Sequence, residues 1–161
     1  MLEREGLKIK NKGDKMARFE GKFAVISGGA SGMGALTAKK FIEEGGSAVT
    51  IDINESEGEK IAAEIGEKCE FFKVDVTKQE DWDALEGHLG ERFKTITTVV
   101  NAAGISEPAT IEDETLEHWN RTHAINGTSV FLGCQFAVKA MKEAGGSIIN
   151  FSSSLATRPK S

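Results

Sequence analysis

The chain has 161 residues, 39% of them apolar, which is enough to bury one domain's core. Its net charge of −5, with 25 acidic against 20 basic residues, argues against a nucleic-acid partner, and with no run near the roughly 20 apolar residues of a membrane helix and no secretory core at the start, the reading is no membrane partner and a cytoplasmic location. Cys69 and Cys134 stand far apart as reduced, buried thiols, and His88, His118 and His123 share no ligand spacing, so no metal site is expected.

Residues 1–15 mix five basic and three acidic side chains with few apolar ones, the composition of a flexible N-terminal extension, and Met16 opens the folded part, a single domain over 16–161. From residue 23 the apolar period switches between short strand-like runs and helical patterns. Strands are predicted at 23–27, 48–53, 70–74, 96–100 and 147–151, and helices at 34–44, 56–65, 78–93 and 116–144, several of them ending at glycine. Trp82 and Trp119 fall in helical patterns as core or interface anchors. Strict alternation of strand and helix, with right-handed crossovers, predicts an α/β fold: a doubly wound parallel sheet with helices on both faces.

Between the first strand and the first helix runs Ser27-Gly28-Gly29-Ala30-Ser31-Gly32-Met33-Gly34. Glycines there let backbone N–H groups and the positive end of a helix dipole approach a diphosphate, which predicts a dinucleotide site. Asp52 ends the second strand, where a carboxylate accepts both ribose hydroxyls and repels a 2′-phosphate; with Ser31 and Ile53 in place of basic residues, NAD is favoured over NADP. The loop continues into Ala35-Leu36 rather than Lys-Ser/Thr, which opposes an ATP-hydrolysing loop. A methyltransferase also fits the stretch from Gly28 to Asp52 taken alone.

With these residues the chain resembles the short-chain dehydrogenase/reductase family, with Ser27 in the place of the loop's threonine. Asp75-Val76 resembles the family's adenine contact, with a helix-capping loop as the plain alternative. Asn101-Ala102-Ala103-Gly104 resembles the family's Asn-Asn-Ala-Gly, Ala102 replacing the second asparagine. Asn126 matches an active-site asparagine whose carbonyl holds a relay water; Ser129 stands where the family commonly has glycine. Ser153 matches the catalytic serine, and Ser152 and Ser154 leave room for a one-residue slip. The resemblance implies a Rossmann-like sheet of strand order 3-2-1-4-5, NAD as cofactor, and an alcohol or ketone as small-molecule substrate.

In the family a tyrosine and a lysine follow that serine. The chain has no tyrosine and ends at Ser161, so the resemblance leads one to expect an incomplete Rossmann sheet and a chain without turnover. The alternative is a non-catalytic nucleotide-binding or dimerising subunit that pairs through the helix at 116–144, as a homo-oligomer or with a complete relative. On this reading the fifth strand is an open edge, and the apolar stripe Val130, Phe131, Cys134, Ala137, Val138 and Met141 loses its cover.

Overall fold

The computed structural model describes residues 17–153; the predicted N-terminal extension and Ser154 lie outside them. In chain order the elements are β1 (Phe23–Ser27), α1 (Gly32–Glu43), β2 (Ser47–Asp52), α2 (Glu55–Ile65), β3 (Cys69–Lys73), α3 (Gln79–Leu89), β4 (Thr98–Asn101), α4 (Leu116–His123), α5 (Ser129–Met141) and β5 (Ser147–Asn150). The strands form one parallel sheet in the order β3-β2-β1-β4-β5.

Alternating side chains give the sheet two unequal faces. Val25, Val49, Ile51 and Val99 point to the side covered by α3 and α5, where Trp82, Leu85, Phe93 and Phe136 complete the larger core. Phe136 meets Trp82 and Phe93 with ring centroids 5.2 and 5.1 Å apart, and Trp82 Nε1 donates to Val76 O at 3.1 Å. Ala24, Ile26, Ala48 and Val100 point the other way, where Ala38 and Phe41 of α1 cover them. The central strands are therefore apolar on both faces, as a covered parallel sheet requires. Among the described residues β5 is one of the two edge strands, with β3 at the other edge, and it is exposed along its whole length.

Local chemistry starts three of the helices. Asn54 caps α2 by accepting from Glu57 N–H at 3.3 Å, Glu80 and Asp81 lie in the first turn of α3, and Thr115 caps α4 by accepting from His118 N–H at 3.1 Å. α1 has neither a side-chain cap nor a first-turn carboxylate.

Several expectations are corrected. The third helix stops at Leu89 and passes through a 3-10 turn, Gly90–Thr95, because Gly90 adopts φ +53°; Ile96, predicted as strand, is a core residue preceding β4. The helix predicted at 116–144 is two, α4 and α5, joined by a π-helical turn at Ala124–Thr128. The uncovered stripe is also wrong in part: Ala137 and Met141 are buried against the sheet with Leu132, Phe136 and Ala140, whereas Phe131 and Val138 face outward. Trp119, expected as a core or interface anchor, is exposed and so is not in the core, its ring lying 4.1 Å from that of His123 and tilted by 31° to it.

Candidate active site

A cleft of about 790 Å³ opens at the carboxyl ends of the inner strands, the usual ligand position in such sheets and within the roughly 300–1,000 Å³ of small-molecule pockets. Of the predicted cofactor residues, Gly28, Ser31, Gly32, Met33, Gly34, Asp52, Ile53, Asp75, Val76, Ala102, Ala103 and Gly104 line it. Ser27 and Asn101 lie behind the wall, each 3% exposed. Sequence reasoning missed Val74, Thr77, Ile105, Arg121, Ala124 and Ile125, which also line it; the first three adjoin predicted residues, whereas Arg121, Ala124 and Ile125 reach the cleft only through a long loop and α4, whose start is the sole local signal.

The glycines have different tasks. At Gly34 an added Cβ would stand 2.2 Å from Gly28 O, so α1 can approach the loop only without a side chain. Gly28, with φ +70°, backs onto Ala102 and Ala103 at 3.0 to 3.1 Å from a built Cβ. Gly32 also has a left-handed φ, +51°, yet its added Cβ would meet nothing within 4 Å and Gly32 borders the cleft. The first backbone bond of α1 runs from Ala35 N–H to Ser31 O at 3.1 Å, so the amides of Gly32, Met33 and Gly34 precede the helix ladder. An uncapped helix start, free of carboxylates and open at Gly32, fits a diphosphate.

Asp52 stands across from this loop, with Oδ2 accepting from Ala30 N–H at 3.2 Å and Oδ1 from Asn54 N–H at 3.0 Å. These bonds fix the carboxylate at the end of β2 and leave lone pairs on both oxygens. Asp75 Oδ1 accepts from the Thr77 hydroxyl at 2.7 Å and from Thr77 N–H at 3.0 Å. Burial pushes its pKa up, but Thr77 and Lys78 outweigh that and hold it below the usual carboxylate range. Asp75 therefore both lines the cleft and shapes the loop before α3.

The far wall is held by side-chain bonds. Ser27 Oγ accepts from Ala102 N–H at 3.0 Å and Ala103 N–H at 3.1 Å, tying β1 to the segment after β4. Asn126, inside the π-helical turn, accepts at Oδ1 from Ile105 N–H at 2.8 Å and donates from Nδ2 to Ile105 O at 2.9 Å. Arg121 Nη1 donates to both carboxylate oxygens of Glu107, at 3.1 and 2.8 Å. At the sheet edge Asn101 Nδ2 donates to Asn150 Oδ1 at 2.8 Å, and Ser153 follows β5 with its side chain exposed. Asn126 and Ser153 are not on the cleft wall itself. Among the described residues no cluster of three or more His, Cys, Asp or Glu side chains could hold a metal, and no helix is long and apolar enough to cross a membrane.

The family model for short chain dehydrogenases matches residues 22–161. The chain is 43% identical over 136 residues to the 3-beta-hydroxysteroid dehydrogenase of Comamonas testosteroni, covering 84% of this chain and 54% of that protein. It is 46% identical over 141 residues to the trans-4-hydroxycyclohexanecarboxylate dehydrogenase of Sinomonas cyclohexanicum, covering 82% and 54%. It is 38% identical over 140 residues to the NADP-dependent (R)-specific alcohol dehydrogenase of Lentilactobacillus kefiri, covering 84% and 56%. The chain thus spans about half the length of the curated relatives it matches. The dehydrogenases of this family use a nicotinamide dinucleotide, NAD or NADP. With the matched segment running through the glycine loop, Asp52, the segment after β4 and β5, the chain belongs to the short-chain dehydrogenase family.

Proposed function

We propose that this chain is the dinucleotide-binding part of an oxidoreductase that exchanges hydride between NAD and an alcohol or ketone. The observation that carries the reading is the pairing of an open, uncapped loop at Gly32 with a carboxylate fixed opposite it, Asp52. The loop amides bind the diphosphate, and Asp52 accepts from the adenosine ribose hydroxyls and disfavours a 2′-phosphate. Arg121, a cation on the cleft wall, is engaged by Glu107 and so offers a 2′-phosphate little compensation. The bound dinucleotide supplies the hydride chemistry. Asp75 and Val76 border the adenine, and Ala102, Ala103 and Gly104 form the opposite wall of the groove. Asn126 orients a water through its main-chain carbonyl, and Ser153 donates a hydrogen bond to the substrate oxygen. Relatives named for hydroxysteroid, hydroxycyclohexanecarboxylate and alcohol dehydrogenation support a substrate with an oxidisable hydroxyl group.

Titration of the purified chain with NADH and NADPH, followed by nicotinamide fluorescence, tests this. NADH is expected to bind about tenfold more tightly, a difference of about 1.4 kcal/mol. Asp52→Ala is expected to weaken NADH by about tenfold and abolish the preference, because it removes charge-assisted bonds to the ribose. Binding of neither dinucleotide, or tighter binding of NADPH, overturns the reading.

A further inference from the structure

Ser129 is a buried polar residue, 4% exposed, at the junction of the π-helical turn and α5. In an α-helix the N–H of residue 129 would bond the carbonyl of residue 125, four back. Here Ser129 N–H bonds Ala124 O, five back, the bond that defines the wider turn. Ile125 O is thereby deprived of its ordinary backbone donor, and the Ser129 hydroxyl donates to it instead. One residue thus supplies both donors, its amide widening the turn and its hydroxyl satisfying the carbonyl that the widening displaces. Glycine, which the family resemblance leads one to expect here, supplies only the amide.

Asn126 lies within the same turn, next to Ile125, and its side chain is paired at both ends with the backbone of Ile105, on the segment that follows β4. The direction of the Asn126 amide therefore depends on the turn that carries it. We infer that Ser129 is a positioning residue: its hydroxyl locks the π-helical turn, and through that turn holds Asn126 against Ile105 and sets the wall of the cleft at Gly104 and Ile105. The effect on cofactor rests on the function proposed above, whereas the Asn126–Ile105 clamp does not.

Residue-resolved amide hydrogen exchange of the full chain tests the clamp, because Ile105 N–H donates to the Asn126 side chain and lies on a different element from Ser129. Ser129→Ala and Ser129→Gly are expected to speed exchange at Ile105 about fivefold, the effect of losing one neutral hydrogen bond, with Val25 and Ile26 in β1 unchanged. Ser129→Thr, which keeps the hydroxyl, restores slow exchange at Ile105. A role confined to overall stability would speed β1 and Ile105 together, and that result overturns the inference. So does an Ile105 rate unaltered in Ser129→Ala, or a Ser129→Thr rate equal to that of Ser129→Ala. In the same samples NADH affinity is expected to fall about fivefold in Ser129→Ala; failure of the unsubstituted chain to bind NADH sinks the proposed function while the Ile105 rates still decide the clamp.

Discussion

The two walls of the cleft are built on different principles. The wall made by β1, the glycine loop and α1 is steric: Gly34 lies against Gly28 O, and Ala24, Ile26 and Ala38 are buried beneath it. The wall made by the segment after β4, the end of α4 and the π-helical turn is held by polar groups: Ser27, Asn101, Asn126 and Ser129 brace it through their side chains. A steric wall fails when an atom is added, and a polar wall fails when a donor or acceptor is removed or displaced.

The comparison can be broken first on the steric side. Gly34→Ala forces a Cβ against backbone that has no other place to go, and is expected to cost about 3 kcal/mol in denaturant unfolding and to abolish NADH binding. On the polar side, Gly133→Ala would put a Cβ 2.0 Å from Asn101 Oδ1 and drive the amide away from Asn150. About 2 kcal/mol is expected there, with NADH binding weakened but retained, since Gly133 lies behind the cleft wall. Equal loss of binding in both variants would erase the distinction between the walls.

The smallest effect comes from a control remote from both. Glu70, at the amino-terminal half of β3, is held below its ordinary pKa of 4.5 chiefly by Arg92, and also by His88. A depressed carboxylate stabilises the fold above its unfolded value, and that stability is lost as pH falls from about 4.5 through the lower folded value. Because Glu70 is partly exposed, the contribution is small. Denaturation midpoints of Glu70→Gln should lie below those of the unsubstituted chain near pH 6, with the two curves converging on acidification. A gap that stays constant below pH 4.5 would contradict this.

The steric wall was legible in the sequence because glycine, strand and helix signals lie within one short stretch, 23–52. The strand at 23–27 needed no adjustment, whereas β4 is shifted toward Asn101 because Ile96 is apolar for the core and not for the ladder. The polar wall was only partly legible. Asn126 could be picked out by resemblance, but its partner is the backbone of Ile105, and backbone groups leave no mark on a sequence. The π-helical turn was equally hidden: α5 has apolar residues on both sides, Phe131 and Val138 as well as Leu132 and Phe136, so periodicity could not tell which row faces the sheet.

Ser27 links the two systems, since one hydroxyl receives successive amides from the opposite wall. The spacing between β1 and the segment that carries Ala102 and Ala103 is therefore built in as the chain folds. On the function proposed above, a dinucleotide settling there would meet a seam whose conformational freedom has already been surrendered, which spares its affinity that part of the cost.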